Sequence, residues 1–155
     1  MNLIEELKSI TNILDSEGIE YALCGGLAMA VYAIPRATLD IDLLIQENTL
    51  DKIQRILRDQ GYTLNAAPME FKAGKVRIHR IGKADKDSGE VITLDLLLVS
   101  DISHDAWKGR RNIIWEGGTI QVVSPEGLIS LKSQRGSGQD QDDITLLKDI
   151  IKNEN

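Results

Sequence analysis

The residues of this 155-residue chain best suited to chemistry are three aspartates in apolar surroundings, Asp40, Asp42 and Asp95. In Leu39-Asp40-Ile41-Asp42-Leu43-Leu44-Ile45, acidic and aliphatic residues alternate at the start of a run that reads as a β-strand. Alternate strand residues share a face, which puts both carboxylates on one side with Cβ atoms about 7 Å apart. Carboxylates brought to about 5 Å repel by roughly 3 kcal/mol at an effective dielectric near 20. A solvated strand end tolerates that; an aliphatic strand calls for a cation between the acids. Asp95 repeats the anomaly inside Val91-Ile92-Thr93-Leu94-Asp95-Leu96-Leu97-Leu98-Val99. A carboxylate there must be paired with Arg or Lys, protonated or metal-bound. If the two strands are neighbours, the three acids converge, and an oxygen-only set suits Mg²⁺ or Mn²⁺ better than Zn²⁺.

A second feature precedes the acids. Tyr21-Ala22-Leu23-Cys24-Gly25-Gly26-Leu27-Ala28-Met29 reads as strand, Gly-Gly, helix. Glycines at such a junction let backbone N–H groups approach an anion, and they also serve wherever the chain needs a positive φ. Arg36 and Thr38 lie just before the acidic pair. Arg36 could neutralise surface acids there. Lys72, Lys75, Arg77, His79, Arg80 and Lys83 form a basic stretch that reads first as a solvated strand face, second as a nucleotide or RNA groove.

The elements that must position these residues follow from periodicity and punctuation. Leu3, Leu7, Ile10 and Leu14 mark a first helix ending at Gly18, and Ile19 to Cys24 a buried strand. Leu27 to Ala33 is helical up to Pro35, and Leu50, Ile53, Ile56 and Leu57 make an amphipathic helix with Gly61 at its end. Val76 to Ile81 and Val91 to Val99 are strands. Asn112 to Trp115 and Thr119 to Val123 form a hairpin around Gly117-Gly118. Ser124 caps a helix with Pro125 in its first turn, and Ile144, Leu147 and Ile151 build a last one after Gly136-Ser137-Gly138. This order predicts an α+β fold, a mixed central β-sheet with helices packed mainly on one face.

Length suits one domain, 1–155, with the helices of 125–152 part of it. A net charge of −6 argues against a protein that coats nucleic acid by bulk positive charge, without excluding a local groove. Cys24 is the sole cysteine, which rules out an intramolecular disulfide and favours a reducing compartment. Neither a secretory start nor an apolar run of the roughly 20 residues needed to span a bilayer is present, so a cytoplasmic location is expected.

From Tyr21 to Ile45 the chain resembles the polymerase-β-like nucleotidyltransferase superfamily. That signature is a hydrophobic residue, Gly, Gly or Ser, a spacer, and Asp-hydrophobic-Asp-hydrophobic. Here it reads Cys24-Gly25-Gly26, thirteen residues, then Asp40-Ile41-Asp42-Leu43. Ile34 to Leu44 is especially similar to small bacterial members, lincosamide-type antibiotic nucleotidyltransferases and AbiEii-like abortive-infection toxins. Leu131-Lys132, Arg135 and Gln139-Asp140-Gln141-Asp142-Asp143 resemble the latter group's Lys and Arg-Asp-x-x-Asp motif, with Gln139 where a basic residue is expected. Read without the resemblance, Asp140 caps the last helix.

The resemblance implies transfer of a nucleoside monophosphate from an NTP, ATP or GTP, to an acceptor hydroxyl on a small molecule, RNA or protein. It implies Asp40, Asp42 and Asp95 as catalytic and as ligands of Mg²⁺ or Mn²⁺, and Gly25, Gly26, Arg36, Thr38 and Lys132 as nucleotide contacts. A role in a toxin–antitoxin or phage-defence pair, with a partner protein or a second copy, is a further implication. The alternative is a catalytically silent nucleotide- or partner-binding module of the same fold.

Overall fold

The computed structural model describes residues 2–34, 40–134 and 138–154, with the backbone alone at 138–140. The first helix, α1 (Leu3–Ser16), opens on Asn2, whose side chain accepts from the Glu5 N–H at 3.1 Å. It closes in a Schellman turn: Gly18 takes φ +69°, and the Ile19 and Gly18 N–H groups bond Leu14 and Asp15 carbonyls at 2.9 and 3.1 Å. The strand β1 (Ala22–Cys24) runs straight into α2 (Gly25–Val31), and β2 (Asp40–Ile45) follows. The helix α3 (Leu50–Asp59) ends on the same device, with Gly61 at φ +96° and Tyr62 N–H on the Leu57 carbonyl.

Two short strands absent from the sequence expectation come next, β3 (Leu64–Asn65) and β4 (Met69–Phe71). Apart from half-buried Met69 they are exposed, and their hydrogen bonds come from the long strand β5 (Val76–Ala84), which turns back into β6 (Val91–Leu98). After α4 (His104–Lys108) come β7 (Arg111–Trp115) and β8 (Gly118–Val122), then α5 (Pro125–Ser133) and α6 (Gly138–Glu154). The β7–β8 turn is Glu116-Gly117, both at positive φ, rather than Gly117-Gly118; Gly118 already pairs with Trp115. Asp140 lies inside α6 and is not its cap.

Among the described residues these strands form one eight-stranded mixed sheet, in the order β3-β5-β6-β2-β1-β8-β7 with β4 beside β5. The β2–β6 and β1–β8 pairs are parallel and the other pairs antiparallel. Ile41, Leu43 and Ile45 of β2 and Leu94 and Leu96 of β6 share one core with Leu7, Ile10 and Leu14 of α1 and Ile53 and Leu57 of α3. The opposite face of the same strands carries Asp40, Asp42, Asp95 and Leu97, and it lines an open cleft. Period-two alternation thus separates a greasy side from a chemical side. Among the described residues no helix is long and apolar enough to cross a membrane.

Gly127 is where α5 meets α4. A Cβ there would lie 2.6 Å from Val123 Cγ1 and 3.2 Å from the Ala106 backbone. Gly127→Ala gains helix propensity but overpacks this contact, for a net loss of about 1–2 kcal/mol. Urea melting checks it, and an unchanged or higher midpoint would show that the α4–α5 contact yields freely.

Candidate active site

The site grows from one row of residues across four strands. In the β1–β2, β2–β6 and β5–β6 registers, Cys24 stands opposite Asp42, Asp42 opposite Asp95, and Asp95 opposite Arg80. Neighbouring strands lie about 4.8 Å apart, so this row carries the end of the glycine turn, two acids and a guanidinium side by side. Asp40 sits two residues up the same face of β2, and all three carboxylates line the cleft. The parallel β2–β6 pairing is what brings Asp95 to Asp42. Cys24 is buried, and its thiol donates to the Asp42 carbonyl at 3.5 Å, tying the glycine turn to the acidic strand.

Arg80 decides the electrostatics of this row. Its Nε and Nη2 donate to the two oxygens of Asp95 at 2.8 and 3.0 Å, a bidentate pair. The Asp95 side chain is 8% exposed, whereas that of Arg80 is 44% exposed and reaches the cleft. Hydrogen bonds and charge from Asp95 hold the guanidinium well above its ordinary pKa, burial opposes this, and Asp40 and Asp42 reinforce it. The cation that the acids demand is therefore supplied at Asp95 by the protein itself. The sequence reading had Arg80 only as one of a basic stretch. The available signal was the β5–β6 hairpin: counting back residue for residue from the Asp85–Glu90 turn lands on Arg80 opposite Asp95.

Gly25, Gly26 and Lys132 line the same cleft, which has a volume of about 1370 Å³. Lys132 is 4% exposed, and its ammonium donates to Asp143 of α6 at 3.0 Å in a buried ion pair. Arg36 and Thr38 lie outside the described residues. Within the basic stretch, Arg77 is clamped by Glu47 through two hydrogen bonds of 2.7 and 2.8 Å, and Lys83 pairs with Glu6. His79 lines a separate pocket of about 190 Å³ beside Arg58 and Tyr62. Lys72 and Lys75 do line the cleft, at the β4–β5 turn. Trp107 is core, buried at 5% exposure under the Arg110 guanidinium.

A sequence profile of the family described as "uncharacterised nucleotidyltransferase" matches residues 1–129. The chain belongs to that family. Its solved structural neighbours are consistent in fold. The nucleotidyltransferase-like protein TM1012 of Thermotoga maritima superposes with a TM-score of 0.64 at 18% identity, over 96% of this chain and 92% of that one. The antibiotic-resistance factor ANT(2″)-Ia, in a complex with adenylyl-2″-tobramycin, gives 0.61 at 12% identity, over 93% and 86%. JHP933 from Helicobacter pylori gives 0.55 at 20% identity, over 94% of this chain and 64% of that one. No curated protein matches the sequence. The α+β fold read from the element order is that of these nucleotidyltransferases.

Among the described residues of this nucleotidyltransferase, no three His, Cys, Asp or Glu side chains already stand as a metal-ligand cluster. The donor chemistry fits a hard divalent ion at Asp40 and Asp42, which share a face and offer only carboxylate oxygens. Asp95 gives one lone pair of each oxygen to Arg80 and keeps acceptor capacity toward the same ion. Gly25 has a defined part in the geometry. At φ +67° it lies so close to Asp42 that a Cβ would come within 2.1 Å of Oδ2 and 2.9 Å of the Asp42 Cβ. Gly25→Ala must push the carboxylate aside, and is expected to lower nucleotidyl transfer roughly a hundredfold. Initial rates set beside a urea melt check this; a wild-type rate would mean that the close approach is dispensable.

Proposed function

We propose that this cleft transfers a nucleoside monophosphate from an NTP, ATP or GTP, to an acceptor hydroxyl, with Asp40, Asp42 and Asp95 as the catalytic carboxylates. What supports the reading is the row Cys24–Asp42–Asp95 beside Asp40, at the foot of the Gly25-Gly26 turn. Asp40 and Asp42 hold Mg²⁺ or Mn²⁺, which when bound offsets the negative charge of the triphosphate. Backbone N–H groups of Gly25 and Gly26 face the phosphates, and Arg36 and Thr38 are assigned to the same task. Lys132, whose ammonium has three donors and gives one to Asp143, is assigned to that task too. The acceptor oxygen forms the new bond to the α-phosphorus as the bridge to the β-phosphate breaks and pyrophosphate leaves. The acceptor proton goes to Asp95, through an oxygen lone pair that its bonds to Arg80 leave open. Residues 1–155 act as one unit, in the cytoplasm. A toxin–antitoxin or phage-defence role, with a partner protein or second copy, rests on the sequence resemblance alone.

The Arg80–Asp95 clamp favours a second reading, a nucleotide- or partner-binding module without turnover. Incubation with α-labelled NTPs, Mg²⁺ and deproteinised cell extract separates the two. Transfer by the wild type that falls more than about a hundredfold in Asp40→Asn supports the enzyme. NTP binding with no transfer to any fraction supports the module.

A further inference from the structure

The identity of the acceptor is addressed by how charge is distributed across the cleft. In the sheet order β5-β6-β2-β1, the glycine turn adjoins β1 and Asp42 lies on β2, so the donor phosphates occupy that side. Asp95 is one strand further on. An acceptor hydroxyl that passes its proton to Asp95 must come from beyond it, over β5 and the β4–β5 turn. That half of the cleft is lined by Phe71, Lys72, Lys75, Ile78 and Arg80. The described residues lining the cleft include no acid besides Asp40, Asp42 and Asp95. In a chain of net charge −6, the cleft-lining side chains of the acceptor half are basic or apolar, with Glu70 behind the tip at Gly74.

The two lysines differ from the other basic residues nearby. Arg77, Lys83 and Lys132 are each engaged by a carboxylate, at 2.7, 2.7 and 3.0 Å. Lys72 and Lys75 are exposed and form no ion pair with a carboxylate among the described residues. Lys72, Ala73 and Gly74 all adopt positive φ (54°, 56° and 81°), a tight tip that sets one lysine on either side. Phe71, 53% exposed, ends β4 on the same wall. An exposed ring between cations is the chemistry that holds a planar or ring-bearing group joined to a phosphate. A polycationic acceptor would meet like charge on this wall.

We infer that the acceptor is an anionic phosphate ester, seated on the β4–β5 wall with its phosphate held by Lys72 and Lys75 and its ring against Phe71. This rests on the nucleotidyl-transfer reading of the cleft.

The test divides deproteinised cell extract on an anion-exchange resin into retained and flow-through fractions, each offered as acceptor with α-labelled NTP. Label should enter the retained fraction, and prior alkaline phosphatase should abolish this if the acceptor is a small phosphate monoester, prior ribonuclease if it is RNA. Lys72→Glu/Lys75→Glu should raise the KM for that fraction about tenfold or more, with NTP affinity unchanged, and Lys72→Arg/Lys75→Arg should restore it. Acceptor activity confined to the flow-through, or an unchanged KM in the double glutamate variant, overturns the inference. The transfer reaction itself would stand in both cases, provided that label transfer is lost in Asp42→Asn. No labelling of either fraction counts against both.

Discussion

Asp42→Asn should abolish nucleotidyl transfer, by about a thousandfold or more, while the protein melts within a few degrees of the wild type. The amide keeps the shape of the carboxylate, and the strand register leaves it between Cys24 and Asp95. The thiol of Cys24 bonds the Asp42 backbone carbonyl, which the substitution retains. What disappears is the charge, on a cleft-lining side chain one strand away from Asp95. A charge that faces the cleft rather than the core should matter to the reaction more than to folding. Rates with α-labelled NTP and a thermal melt on the same preparation decide it. Near-normal rates would remove Asp42 from the catalytic set; loss of activity together with a collapse in stability would make its role structural.

The largest effect on stability is expected at Lys132. Its ammonium and the Asp143 carboxylate are both nearly inaccessible, 4% and 8% exposed, and they join α5 to α6. Lys132→Met leaves a buried carboxylate without this partner, and should cost about 3–5 kcal/mol. Replacing both, Lys132→Met with Asp143→Leu, should recover most of that, since two apolar side chains pack on each other where a buried carboxylate facing a methionine does not. Urea unfolding of the two variants and the wild type measures the coupling. A single-mutant loss below about 1 kcal/mol would show that water reaches the pair. The result also bears on the nucleotide, because a lysine so strongly coupled to Asp143 has less to offer a triphosphate.

Several elements were legible because their signals are local. Ser124 caps its helix as its type predicts, Gly18 and Gly61 close Schellman turns, and alternation in β2 puts Asp40 and Asp42 on the cleft side. The strands β3 and β4 were missed because Leu64, Asn65, Glu70 and Phe71 are exposed and show no buried pattern; they exist only because β5 offers an edge. The β7–β8 turn was displaced by one residue because Glu116 adopts a positive φ that its type does not advertise.

The partner of Asp95 belongs to the same class of miss. Alternation and burial show that a carboxylate in Val91–Val99 needs a counter-charge, and those are properties of the segment itself. Which charge answers it depends on strand pairing. Asp42 meets Asp95 through a parallel pair separated by fifty-three positions, and Arg80 reaches Asp95 across a hairpin. Lys132 finds Asp143 only because α5 and α6 dock. The sequence therefore determined by itself the helices, the acidic strand, the glycine turn and the demand for positive charge, since short-range sterics and periodicity write those into neighbouring residues. Tertiary structure alone decided that an arginine meets that demand at Asp95, and that Lys72 and Lys75 of the basic stretch line the far wall of the cleft. Coulomb attraction and close packing act between residues the chain brings together only after it has folded.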